Sequence, residues 1–202
     1  MKFMDMFKTP IFVDQAKCQL EVDKWMEDNV LSGYDGSSTA NDSNVYSDYF
    51  PGAPRVDQEK FRNLYLDNIT NLFNFIGIDT KRNWKMNTNF WYNITEQGGW
   101  QIQHDHISSP FPIQFSGIHF LKFNKEQHEA TLFHNPQSEI LRAMMPTGDW
   151  DTLPSYFNTL TGQPPVEQGE ILFFPSYLKH GFPVQKSSER RITIAFNIGI
   201  QE

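Results

Sequence analysis

The chain has 202 residues, enough for one domain with a sizeable core or for one domain with an N-terminal extension. Aromatic residues make up 15% of it, 18 of them phenylalanine, which favours a β-rich interior over a helical bundle. A formal net charge of -7 argues against a general nucleic-acid binder, the single cysteine (Cys18) excludes an internal disulfide and a cysteine metal cluster, and no run of about eighteen apolar residues is present to span a membrane. Met1 to Phe12 lack the basic start and apolar run of a signal peptide, so the expectation is a soluble, cytoplasmic protein.

Lys8 to Asp14 read as a short strand entered through Pro10, and Gln15 to Leu31 carry a helical pattern with Leu20, Val22, Trp25 and Met26 apolar among charges. From Ser32 to Pro54 Gly, Ser, Asn, Asp and Pro dominate, which predicts a loop, part of it ordered over a site. Val56 to Ile78 is the clearest helix: Phe61, Leu64, Tyr65, Ile69, Leu72, Phe73 and Ile76 recur at three- and four-residue steps, a stripe suited to packing against a sheet, with Gly77 weakening its end. Residues 1–84 thus form a strand and helical flank.

After Lys85 the pattern turns to period two. Strands are predicted at 86–94, 100–107, 115–123, 130–134, 170–174, 180–185 and 190–200, separated by turn residues such as Gln97-Gly98-Gly99. Pro136 to Pro165 has little period of either kind and reads as an insert, a long loop with a short helix. Many short strands suggest a sandwich or barrel. No internal repeat or boundary divides the chain, so 1–202 is expected to be one domain with its core in 85–202.

Within the predicted strand 100–107, His104 and His106 are two residues apart, so their side chains share a face, about 7 Å apart along the chain. Exposed or core histidines explain such a pair as well as a metal site does. His180 adds to it, following the apolar strand Ile171 to Phe174 and opening another; three imidazoles on one face suit iron, zinc, copper or nickel and leave coordination positions open. In strand 190–200, Arg191, Thr193, Ala195 and Asn197 share one face, and Ile192, Ile194, Phe196 and Ile198 the other; apolarity does not decide which looks inward. If Arg191 is buried it needs an anionic partner, for which a dicarboxylate is suited and to which Thr193 can also donate; the alternative is a surface ion pair with Glu189 or Glu170. Asn89, Trp91 and Asn93 share a phase, which could turn Asn93 to the same ligand. His119, His128 and His134 fit structural or exposed roles, and Trp84, Trp91 and Trp100 fit the core rather than a substrate platform. Ser176 lacks a nucleophile-elbow pattern.

Five stretches together resemble the 2-oxoglutarate/Fe(II) oxygenases, distant relatives of prolyl hydroxylases: Trp91-Tyr92-Asn93, His104-Asp105-His106, Phe115 through Phe120, Gly169 through His180, and Arg190 through Asn197. Thr9-Pro10-Ile11 and the 56–78 helix match the layout too, so the likeness covers nearly the whole chain. It implies a mainly β fold, a double-stranded β-helix (jelly-roll) core with N-terminal flanking α-helices. It implies Fe(II) and 2-oxoglutarate as cofactors, iron held by His104, His106 and His180 at the catalytic centre, and 2-oxoglutarate held by Arg191, with Thr193, Asn93 and Asn197 beside it. The reaction implied is hydroxylation of a small molecule or a protein side chain. Two departures stand out: the wider superfamily has His-x-Asp where this chain has His106, with Asp105 one residue out of phase unless a bulge turns it inward, and Phe120 stands where relatives often carry tyrosine. A three-histidine dioxygenase needing no 2-oxoglutarate, and a non-catalytic jelly-roll binding protein, are the other readings.

Overall fold

A computed structural model describes residues 9–39, 43–107, 112–137 and 159–201. The chain runs β1 (Phe12–Gln15), α1 (Gln19–Asn29), a short 3-10 turn (Leu31–Gly33), β2 (Val45–Ser47), α2 (Gln58–Phe75), β3 (Lys85–Thr95), β4 (Gln101–His104) and β5 (Phe115–Lys122). It continues through β6 (Leu132–His134), β7 (Thr161–Gly162), β8 (Glu170–Pro175), β9 (His180–Phe182) and β10 (Arg191–Gln201).

Two antiparallel sheets result. The larger has the order β1-β8-β5-β10-β3-β2 and the smaller β4-β9-β6-β7. From β3 onward the chain keeps crossing between them, which makes this a jelly roll of the double-stranded β-helix type. The N-terminal flank contributes more than helices, since β1 and β2 extend the larger sheet at its two edges.

The alternation of β10 decides the layers. Ile192, Ile194, Phe196 and Ile198 join Phe90, Tyr92 and Ile94 of β3 in a cluster with Val22, Trp25 and Met26 of α1 and Phe61, Tyr65 and Ile69 of α2. This face of the sheet is the one the helices cover. Gly117 of β5 lies under Phe196, where a Cβ would sit 2.3 Å from the ring. The opposite face turns toward the smaller sheet, where Phe120, Leu172 and Phe174 pack with Phe133 of β6, the Phe133 and Phe174 rings 4.9 Å apart. Arg191, Thr193, Ala195 and Asn197 belong to this inner face.

Helix α2 follows its predicted stripe and has defined ends. Asp57 caps it, accepting from Lys60 N at 3.0 Å. Gly77, at φ +79°, does not weaken the helix but closes it: Gly77 N donates to Asn74 O and Ile78 N to Phe73 O, a Schellman motif.

Four expectations are corrected. The 32–54 loop contains β2, held to β3 by Ser47 Oγ donating to Tyr92 O (2.7 Å); the adjacent buried Asp48 accepts from Tyr92 N (2.8 Å) and Val56 N (2.9 Å). The strand expected over 100–107 stops at His104, and the one over 180–185 at Phe182. The far end of the 136–165 insert forms β7; 138–158, and with them the test of the short helix expected in the insert, lie outside the described residues. No helix among the described residues is long and apolar enough to cross a membrane.

Candidate metal centre

Strand β4 carries one residue more than its partner. Gln101 pairs with Phe182 and His104 with His180, so two residues on β4 oppose Gly181 alone. This bulge requires the glycine: a Cβ there would lie 2.6 Å from Gln101 O. Its effect is to set the His104 ring opposite His180, at the last residue of the strand. His106 lies beyond the strand, fixed by its N–H donating to Ser176 O at 3.0 Å, at the end of β8. The two histidines therefore meet through a bulge and a turn rather than by simple alternation along one strand.

The three rings converge. Centroids are 5.2 Å apart for His104 and His106, 4.4 Å for His104 and His180, and 5.0 Å for His106 and His180. Each offers a nitrogen, and the three nitrogens lie within 4.8 Å of one another. In every ring Nδ1 is already engaged: in His104 with Ile102 O (2.9 Å), in His180 with Leu178 O (2.9 Å), and in His106 with Ser116 Oγ (2.8 Å) and Asn197 Oδ1 (2.6 Å). Nδ1–H donation to these acceptors leaves the lone pair on Nε2, the form in which imidazole binds a metal. Burial, reinforced by His104, pushes His106 down to about 4 and His180 down to about 3, so both are neutral near pH 7. Asp105 does not join them; its Oδ1 accepts from Ile107 N at 3.3 Å.

Arg191 is 1% exposed. Its guanidinium carbon lies 4.6 Å from the centroid of Phe182 and 5.5 Å from that of Phe120. Nε and Nη1 are buried with no hydrogen-bond partner among the described residues. Burial lowers its pKa to about 9, which still leaves it charged near neutrality. The neighbouring Arg190 turns the other way, its Nε 3.0 Å from Glu96 and its guanidinium over Tyr34. A buried cation with unmatched donors is costly unless an anion meets it.

The three histidines, Arg191, Thr193 and Asn93 line one inner cavity of about 20 Å³. That is room for about one water. Trp91, Asn93, Gln101, His104 and His106 also line a second, open cleft of about 1180 Å³. Trp91 is buried, as expected, yet it faces both spaces with its ring edge-on to His106 at 5.7 Å. Trp84 and Trp100 are not core residues: Trp84 is half-buried, and Trp100 is exposed on the wall of the cleft.

The other histidines lie elsewhere. His119 bridges Tyr65 and Gln19 beneath the helices (2.7 and 2.6 Å), His128 bonds Asn124 N and Glu189 O (3.0 Å each), and His134 is on β6. Sequence reasoning missed Phe182, Ser116 and Ser176. Phe182 had a signal, since it shares a strand face with His180 two residues earlier. The two serines had none, because their roles depend on strand pairing.

The family described as "Putative 2OG-Fe(II) oxygenase" matches residues 89–197, just over half of the chain. No curated protein matches. Among solved structures, an α-ketoglutarate-dependent non-heme epimerase, SnoN of nogalamycin biosynthesis, is 12% identical over 94% of this chain and 78% of its own, with a TM-score of 0.60. A Pseudomonas putida prolyl-4-hydroxylase is 10% identical over 96% and 94%, with a TM-score of 0.56. HygX of Streptomyces hygroscopicus, crystallised with nickel, 2-oxoglutarate and hygromycin B, is 13% identical over 95% and 83%, with a TM-score of 0.55. At such identities these likenesses speak to the fold alone.

Proposed function

The chain belongs to the 2OG-Fe(II) oxygenase family, and on that premise we propose which of its residues carry the reaction. It is an oxidoreductase dependent on Fe(II) and 2-oxoglutarate, and membership selects this reading over a three-histidine dioxygenase without cosubstrate and over a non-catalytic binding protein.

In this reading His104, His106 and His180 hold the iron through Nε2, and Arg191 clamps the distal carboxylate of 2-oxoglutarate, with Thr193 and Asn93 beside it. Iron and 2-oxoglutarate, when bound, supply O₂ activation: the cosubstrate is oxidised to succinate and CO₂, and the second oxygen atom oxidises a substrate C–H bond. The protein's own part is orientation and exclusion of water. The Nδ1 acceptors fix each imidazole's rotation and tautomer, Phe120 and Phe182 keep solvent from the guanidinium, and the cleft beside Trp91 admits a small molecule or a protein side chain as substrate for hydroxylation. The N-terminal flank acts with the jelly roll as one domain over 1–202, a reading supported by the shared hydrophobic cluster of α1, α2 and the larger sheet.

The observation that carries this reading is the guanidinium of Arg191, buried with unmatched donors in the same cavity as three imidazoles whose Nδ1 atoms are already hydrogen-bonded. Succinate formation from 2-oxoglutarate with Fe(II), ascorbate and O₂, followed across a substrate panel, tests it. Turnover in Arg191→Ala equal to that of the wild type would remove the proposed clamp.

A further inference from the structure

We propose that Asn197 decides which nitrogen of His106 carries the proton, and so whether that ring can bind a metal. Asn197 is then a positioning residue and not a contact of the cosubstrate. The inference rests on the reading of His106 as a metal ligand.

The three rings reach the same tautomer by different routes. His104 and His180 donate to the main-chain carbonyls of Ile102 and Leu178. A carbonyl oxygen only accepts, so backbone geometry alone settles these two. His106 instead faces two side chains, Ser116 Oγ at 2.8 Å and Asn197 Oδ1 at 2.6 Å. A serine hydroxyl can donate or accept, so Ser116 by itself leaves the ring undecided. Were it to turn its O–H onto Nδ1, the ring proton would move to Nε2 and fill the lone pair a metal needs.

Asn197 closes that route. Its Oδ1 takes the Ser116 hydroxyl proton at 2.9 Å while also accepting from His106 Nδ1. Ser116 then has only a lone pair to offer the ring. The rival acceptor for that hydroxyl, Ser176 Oγ, is farther off at 3.3 Å. Ser116 and Asn197 are direct register partners on β5 and β10, so the larger sheet itself holds the constraint in place. Of the three rings, His106 is the one whose state hangs on side chains, which makes it the one a single substitution can switch.

The test reads tautomers directly. Long-range ¹H–¹⁵N correlation spectra of the full chain, ¹⁵N-labelled and metal-free near pH 7, should show the proton on Nδ1 in His104, His106 and His180. In Asn197→Leu, His106 alone should move toward the Nε2–H form, with Co(II) affinity by calorimetry falling about 10–100-fold, the usual cost of losing a metal ligand's outer partner. Asn197→Asp, whose carboxylate only accepts, should restore both. Ser116→Ala removes the ambiguous partner and should leave His106 protonated on Nδ1; it serves as the deciding variant should Asn197→Leu fail to fold. A wild-type proton on Nε2, an unchanged His106 in Asn197→Leu, or loss of the Nδ1–H form in Ser116→Ala would overturn the proposal. Absence of Co(II) binding by the wild type would instead overturn the metal-site reading and leave the tautomer result standing.

Discussion

His104 and His180 are direct partners across the antiparallel pair β4–β9, and their ring centroids lie 4.4 Å apart. Main-chain pairing, not a flexible loop, sets the separation, and each ring is turned by its own bond to a carbonyl two residues upstream. Groups held on paired strands keep their geometry better than groups on loops. The third ring, His106, comes from a turn anchored to Ser176.

Removing one ring should therefore remove most of the metal affinity. His180→Ala is expected to weaken Co(II) binding by more than about 100-fold, above the effect of losing an outer partner, and to abolish the rise in Tm that metal produces in the wild type. Calorimetry and thermal melts with and without Co(II) measure both; an unchanged affinity would take His180 out of the site.

Arg191 should behave as a stability cost relieved by its ligand. Because Nε and Nη1 are buried without partners, Arg191→Met is expected to raise the Tm of the protein measured without 2-oxoglutarate. The same variant should lose the stabilisation that 2-oxoglutarate gives the wild type. In kinetics, Arg191→Ala should raise KM for 2-oxoglutarate by roughly 30-fold or more, in line with about 2–5 kcal/mol for breaking a buried charged pair. A lower Tm for Arg191→Met together with a normal KM for Arg191→Ala would contradict this.

Acid should destabilise the metal-free fold through His119, together with His106 and His180. Burial lowers the His119 imidazole to about 3 from the ordinary 6.5, so between those values the unfolded chain binds a proton that the folded one refuses. Its contribution is complete above pH 6.5 and is lost as pH falls toward 3. Unfolding free energies from urea melts of metal-free protein at pH 7 and pH 4.5 should differ by on the order of a few kcal/mol, and His119→Gln should narrow the gap. An equal gap in the variant would assign the acid sensitivity to other groups.

Two glycines with similar crowding should fail differently. Gly117→Ala puts a methyl against the Phe196 ring, and Gly181→Ala puts one 2.6 Å from Gln101 O in the bulge beside the histidines. Overpacking should cost each about 1–3 kcal/mol. Only Gly181→Ala should also weaken Co(II) binding, because it shifts the strand that carries His104. Denaturation midpoints and metal titrations separate the two, and equal metal affinity in both variants would mean the bulge does not position the site.

Some of this was legible residue by residue. The stripe Phe61, Tyr65, Ile69, Leu72 and Phe73 announced α2, and the alternation of 190–200 announced β10, because burial on one face imposes a period that the sequence records. The register of β4 was not legible, since it depends on a bulge against Gly181 in another strand. Nor was β2, three residues long and held by Ser47 and Asp48 to Tyr92, some forty-five positions away in sequence.

What the sequence by itself determined is chemistry: the three imidazoles, the arginine two residues ahead of a threonine on the same strand face, and the alternating strands able to carry them. What only the tertiary structure decided is direction. Both faces of β10 could have been the inner one. The helices cover the face bearing Ile194 and Phe196, so Arg191 is turned between the sheets, and Asn197 is brought within 2.6 Å of a ring ninety-one residues away in the chain. The physical reason is that period and composition record how strongly each face is buried, while the identity of the layer that buries it depends on pairings between distant strands, which no local pattern encodes.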